Sequence, residues 1–221
     1  MASHPTPPHH NPARRKLFQA AGLAAAALPF SGKLAAAEGA PMSGSATTPP
    51  LQDPRTQYPK APFEKQSQPW PGLNSKMHPL PDCGEKSYKG SNRLLGRKAL
   101  ITGGDSGLGR AAAIAYAREG ADIAINYLPA EESDAQEVAA LIEKEGRKCF
   151  CQPGDLRDEA FCHKLVQQAA QSLGGLDIFV NCAGRQQTHD SLLHVSTQVF
   201  HWTLKTNPSL PFCLSKAALP S

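Results

Sequence analysis

The chain has 221 residues, 20 of them proline, and a formal net charge of +4. Its mild basicity comes without a Lys/Arg stripe interleaved with aromatic residues, which speaks against nucleic-acid recognition. Most of the prolines lie between Met1 and Asn92, where no strand-like or helix-like period is sustained, so a core must come from the remainder.

At the N-terminus a polar stretch ends in Arg14, Arg15 and Lys16, followed by an apolar run from Leu17 to Phe30 and small residues at Ala35, Ala36 and Ala37. That three-part layout is the one expected of a cleaved export signal. The apolar run falls short of the roughly 20 residues that span a bilayer, so no permanent membrane anchor is expected. The arginine pair with Phe18 close behind resembles a twin-arginine signal, with Ala13 where Ser or Thr is usual and Gln19 where Lys is frequent. Residues 1–37 are thus expected to direct export to the periplasm, with a cytoplasmic location as the alternative. Residues 38–68, rich in Pro, Ser, Thr and Gln, are expected to be a disordered linker. Residues 69–95 carry scattered apolar anchors (Trp70, Leu73, Met77, Leu80, Cys83, Tyr88) and read as an extended arm laid over a folded surface.

Past Leu95 strand and helix signals alternate. Lys98 to Thr102 reads as the first strand and Gly109 to Glu119 as the first helix, stopped by Gly120. Asp122 to Tyr127 is the second strand, and a helix from about Glu131 to Glu145 follows, with Val138, Leu141 and Ile142 as its apolar stripe. Lys148 to Gln152 is the third strand, Asp158 to Leu173 the third helix, and Leu176 to Asn181 the fourth strand. One helix or a pair, with a break near Pro208, is expected from Thr197 to Leu219. Such alternation predicts an α/β fold: a Rossmann-like, doubly wound parallel sheet over residues 96–221.

The stretch Thr102 to Arg110, T-G-G-D-S-G-L-G-R, joins the first strand to the first helix. Gly103, Gly107 and Gly109 free the backbone to turn tightly and approach a pyrophosphate, and the helix start points unpaired N–H groups and partial positive charge at it. Asn126-Tyr127, Gly154-Asp155-Leu156 and Asn181-Cys182-Ala183-Gly184 end the other three strands. All four groups lie at carboxyl ends of strands, where open α/β sheets bind ligands.

With these motifs in this order the chain resembles a classical short-chain dehydrogenase/reductase. Its Thr-Gly-x-x-x-Gly-x-Gly pattern is matched at Thr102 to Gly109, and its Asn-Asn-Ala-Gly pattern at Asn181 to Gly184, with Cys182 replacing the second Asn. The segment P-D-C-G-E-K-S-Y-K-G-S from Pro81 further resembles the extended-arm, glucose/ribitol dehydrogenase-like branch. The resemblance implies an NAD(P)-binding oxidoreductase acting on a small alcohol or carbonyl substrate, homo-oligomeric at full length. By the same resemblance Asp105, Ser106 and Leu108 line the pyrophosphate, Asp155 and Leu156 the adenine, and Asn181, Ala183 and Gly184 the cofactor ribose side. Asn207, in Lys205-Thr206-Asn207, would hold a water for the proton relay.

An acidic side chain after the second strand bonds a free 2′-hydroxyl, whereas a 2′-phosphate needs positive charge. Asn126 and Tyr127 offer no carboxylate and Ser106 adds no base, so both NADP and NAD remain open, with the balance toward NADP. The family uses a Tyr with Lys four positions on, and an earlier Ser. None of Tyr58, Tyr88, Tyr116 and Tyr127 is followed by Lys at that spacing. The chain is therefore expected to be C-terminally truncated, with about four strands of the family's usual set of about seven, and inactive alone. The alternative is a non-catalytic nucleotide-binding remnant or interaction module. The six cysteines form no Cys-x-x-Cys pair and the histidines share no spacing on one element, so neither a metal site nor a disulfide framework is expected.

Overall fold

Four short strands, apolar on both faces, need helices above and below to keep them dry. The computed structural model, which describes residues 53–219, supplies both layers. The strands are β1 (Lys98–Thr102), β2 (Asp122–Tyr127), β3 (Cys149–Pro153) and β4 (Ile178–Asn181), all parallel, in the order β3-β2-β1-β4. Parallel neighbours require long crossovers, provided here by α1 (Gly107–Arg118), α2 (Glu132–Lys144) and α3 (Glu159–Leu173). Side chains alternate along β1, so Ala99 and Ile101 join Ile123, Ile125, Val138 and Ile142 in a core beneath α1 and α2. Leu100 and Ala124 point the other way, into a second core with Leu165 and Val166 of α3 and with Leu210 and Leu214. Each such fully buried aliphatic side chain contributes about 1.5–3 kcal/mol. The result is the doubly wound Rossmann-like α/β sheet expected from the sequence.

The chain closes through α4 (Thr197–Leu204) and α5 (Leu210–Ala218). Where a break was expected at Pro208, the backbone widens into a π-helical turn, Lys205–Ser209, and stays helical on both sides. A wider turn tolerates the missing proline N–H and its ring. Other boundaries also differ: α1 begins at Gly107 rather than Gly109, and β3 runs Cys149–Pro153, one residue later than expected. β4 begins at Ile178 rather than Leu176; at its entry the Asp177 N–H donates to the Lys98 carbonyl (2.9 Å), while the Asp177 carboxylate accepts the Lys98 N–H (2.9 Å) and pairs with Arg97 (3.0 Å). A 3-10 turn, Pro129–Glu131, precedes α2.

The arm is fastened to this body by buried charge. Glu119 at the end of α1, 3% exposed, accepts Tyr88 Oη (2.5 Å), the N–H groups of Ser91 (3.0 Å) and Arg93 (2.9 Å), and the Arg93 guanidinium (2.7 Å). Arg93 first, then Tyr88, holds the Glu119 carboxyl far below its usual range. Arg118 donates to the carbonyls of Gly84 and Tyr88 (2.7 Å each) and Glu85 (2.6 Å). Asp134 of α2, fully buried, accepts the N–H groups of Asn74 (2.5 Å) and Ser75 (3.4 Å). Between residues 53 and 68 the chain holds one 3-10 turn, Pro54–Thr56. The export-signal reading of residues 1–37 and the linker residues before 53 lie outside the described residues. No helix among the described residues is long and apolar enough to cross a membrane.

Candidate functional site

The strand register lines up one row of residues at the carboxyl edge: Asn181 opposite Thr102, Thr102 opposite Asn126, and Asn126 opposite Gln152. Side chains knit the row. Thr102 Oγ1 donates to Asn181 Oδ1 (3.0 Å) and accepts the Ala183 N–H (3.3 Å), while Asn126 Nδ2 donates to the carbonyls of Gln152 (3.0 Å) and Gly154 (3.2 Å). Asn126 and Asn181 therefore position the loops with their amides. Between β1 and β4 the chain order reverses, and at such a switch point open α/β sheets form their ligand crevice.

The glycine loop leaves β1 at this point. Gly103 takes φ +62°, and a Cβ there would stand 3.0 Å from the Ala183 nitrogen; a Cβ on Gly109 would stand 1.9 Å from the Gly103 carbonyl oxygen. Gly107, with φ +51°, faces open space instead. Two glycines thus permit close packing and the third leaves room. Ser106, the cap of α1, makes no side-chain bond to the first turn, so N–H groups of that turn remain available to an anion. Leu108 projects outward at 83% exposure. Asp105 lies inside the loop, 1% exposed, and one of its carboxylate oxygens has no partner among the described residues.

Beside the loop is an open cleft with a cavity volume of about 60 Å³, walled by Asn126, Tyr127, Gly154, Asp155, Leu156 and Gly184, residues that the sequence placed at three separate strand ends. Its remaining wall was not legible in the motifs: Trp70 from the arm, Leu128, Arg157, Arg185, and Trp202, Thr206 and Leu210 from the last helices. The Asp155 carboxylate pairs with Arg157 (Nε–Oδ2 2.9 Å), which lowers its pKa, and Arg157 in turn lies 4.2 Å from the Trp202 ring centre. Asn207 sits in the π turn and clamps the loop after β4: its Oδ1 accepts the Arg185 N–H (2.8 Å) and its Nδ2 donates to the Arg185 carbonyl (2.9 Å).

A second feature missed in the sequence is acidic. Glu131 folds back so that Oε2 accepts the Leu128 N–H at 2.9 Å, one residue beyond β2. The place after the second strand therefore has a carboxylate, supplied from three residues further along; the Leu-x-x-Glu spacing at a helix entry is the signal that announces it. Burial first, then repulsion from Asp105 and Asp134, pushes the Glu131 carboxyl up to about 7 against the lowering effect of the Leu128 N–H. An acid raised in the folded state holds an extra proton there, so its contribution to stability is complete below the unfolded pKa and is lost as pH rises from about 4.5 to about 7. Glu131→Gln keeps the acceptor and removes the titration. It is expected to flatten the pH dependence of melting between those limits and to stabilise by about 1–2 kcal/mol at pH 8, once solvent screening of a partly buried group is counted. Unchanged melting profiles across that range would remove Glu131 as the cause.

Comparison with known proteins places this site in a family. The short chain dehydrogenase family matches residues 97–221. The chain is 58% identical over 158 residues to the uncharacterized oxidoreductase YhxD of Bacillus subtilis, covering 72% of this chain and 53% of that protein. It is 54% identical over 170 residues to the uncharacterized oxidoreductase YghA of Escherichia coli, covering 77% and 58%. Among solved structures, a short chain dehydrogenase from Burkholderia cenocepacia in complex with NADP superposes with a TM-score of 0.54 at 39% identity, covering 58% of this chain and 51% of that one. The chain spans about half the length of the curated relatives it matches. From its matched residues and its sheet alike, this chain belongs to the short-chain dehydrogenase family.

Proposed function

We propose that residues 96–221 form the nucleotide-binding half of an NAD(P)-dependent oxidoreductase that exchanges a hydride with a small alcohol or carbonyl compound. The observation that carries this reading is the glycine loop, where a Cβ is excluded at Gly109 and crowded at Gly103 and open space remains at Gly107, beside an uncapped helix start. A bound nicotinamide nucleotide would supply the hydride. The chain's own residues do the holding: first-turn N–H groups of α1 meet the pyrophosphate, Asp155 and Leu156 the adenine, and Asn207 fixes the loop carrying Ala183 and Gly184.

Both nucleotides are accepted in this reading, with NADP preferred, and Glu131 sets the ratio. A protonated Glu131 tolerates a 2′-phosphate; an ionised one repels it and accepts from a free 2′-hydroxyl. Glu131→Gln is therefore expected to raise the NADP-to-NAD affinity ratio at pH 8. Nucleotide at a hundred times its Kd should raise the melting temperature by about 5–10 °C, from a stabilisation of about 2.7 kcal/mol. No heat of binding and no shift with either nucleotide would sink the reading.

Nucleotide binding without turnover is a second reading: the motifs read from Thr102 to Gly184 are those that hold the nucleotide. Single-turnover oxidation of NADPH by a carbonyl compound on the 221-residue chain separates the two. We also infer membership of the glucose/ribitol dehydrogenase-like branch, on the arm segment from Pro81, and export through the twin-arginine route, on Arg14, Arg15 and the apolar run behind them. Protease protection of the chain in intact spheroplasts would overturn the latter.

A further inference from the structure

Trp70 belongs to the arm, yet it walls the cleft beside Asp155, Leu156 and Gly184. Its ring meets that of Trp202 edge-on, 5.4 Å between centroids at 83°. The Arg185 guanidinium lies near both rings, 3.6 Å from the centre of Trp202 and 5.2 Å from that of Trp70. Despite these contacts Trp70 remains 52% exposed. Open aromatic surface at the mouth of a concave, largely apolar recess suits a flat aromatic ligand.

Two further observations point the same way. Trp70 is carried on a loop that its own sequence closes: Gln68 Nε2 donates to the Leu73 carbonyl (3.0 Å) and Gln68 Oε1 accepts the Leu73 N–H (2.9 Å). Immediately after it, Asp134 takes the N–H of Asn74. The ring is thus presented by a pre-organised segment, which lowers the entropy cost of using it. In addition, Nη1 of Arg185 is buried and has no hydrogen-bond partner among the described residues. A desolvated guanidinium N–H without an acceptor is costly until a ligand provides one.

We propose that Trp70 is a purine-stacking residue, presented by the Gln68–Leu73 loop to the adenine ring of a nucleotide in the cleft, with Arg185 donating to an acceptor of the same nucleotide. This rests on the nucleotide-binding reading above and adds that the arm is part of the binding site. The arm therefore tightens on the body when adenine is present.

The chain has only two tryptophans, both at this cleft, so its own fluorescence reports the contact. The experiment titrates ADP into the full chain and into Trp70→Ala, Trp70→Phe and Trp202→Phe, with calorimetry for affinity and emission for the ring. Trp70→Ala is expected to weaken ADP about tenfold, as loss of one base–aromatic stack does, and Trp70→Phe to restore affinity to within about threefold. Trp202→Phe leaves Trp70 as the sole emitter, and ADP should quench it. Ligand-free Trp70→Ala should melt about 1–6 °C lower, from loss of the contact with Trp202, while Trp70→Phe should melt near the unsubstituted chain; recovery of ADP affinity in Trp70→Phe separates stacking from a structural role. Equal ADP affinity in the chain and in Trp70→Ala overturns the proposal and leaves nucleotide binding standing. Absence of ADP binding to the unsubstituted chain overturns both. Emission from Trp70 that follows protein concentration and ignores ADP overturns it in favour of a second copy covering the ring.

Discussion

Replacing Gly109 by alanine is expected to abolish nucleotide binding and to lower the melting temperature by about 6–10 °C, whereas Gly107→Ala should abolish binding with a smaller loss of stability. The distinction lies in what each new methyl group meets. At Gly109 the Cβ would stand 1.9 Å from the Gly103 carbonyl oxygen and 3.1 Å from Gly104 Cα. Those are backbone atoms and cannot rotate away, so α1 and the loop must separate, at the upper end of the roughly 1–3 kcal/mol that overpacking costs. At Gly107 the methyl meets nothing within 4 Å, and the strain is only that of φ +51° in a residue with a side chain, about 1–2 kcal/mol. In the proposed binding mode the space it fills is the space the phosphates need. Thermal melts of both variants, with and without NADP, test the pair. A Gly109→Ala chain that melts and binds like the unsubstituted one would show that the first turn of α1 does not pack on the loop as described.

The contrast between these glycines also marks what the sequence made legible. The bounds of β1 and β2 follow directly from apolar runs closed by Thr102 and Tyr127, and Gly120 stops α1 where its spacing demands. Local chemistry decides such features, and local chemistry is what a sequence displays. Pro208 shows the limit: its preference for breaking a helix is real, yet the flanking turns of α4 and α5 stay helical around it through a widened turn. The candidate site divides along the same line. Four strand-end motifs could be read, because each occupies a short consecutive stretch. Trp70, Arg185 and Trp202 could not, because they meet only when the arm, the loop after β4 and α4 converge. Glu131 was not legible for a subtler reason: the last residues of β2 carry no carboxylate, and the one that reaches back to Leu128 belongs to a residue three positions after Leu128.

Asn126 explains how the strand-end motifs act together, and its replacement is expected to be the second severe change. It is 1% exposed and occupies the centre of the row that joins β1, β2 and β3. Its Nδ2 holds the carbonyls of Gln152 and Gly154, and its own carbonyl accepts the Gly104 N–H at 3.1 Å, so one residue ties the glycine loop to the segment carrying Asp155. Asn126→Ala takes the amide donor from two carbonyls of half-buried residues, about 1–3 kcal/mol in total and about 2–10 °C of melting temperature. Loss of the tether should also weaken ADP by more than tenfold, because Gly154 and Asp155 would no longer be held against the cleft. Asn126→Asp sharpens the test. At neutral pH an ionised carboxylate would face two carbonyl oxygens, so this variant should be less stable than the alanine one despite its near-identical shape. Burial and those oxygens favour its protonated form, which restores one donor, so its stability should recover on acidification while that of Asn126→Ala does not. If the aspartate variant instead equals or exceeds the alanine variant at neutral pH, the amide is not the donor that couples the two loops, and the row at the sheet's carboxyl edge is held by backbone pairing alone.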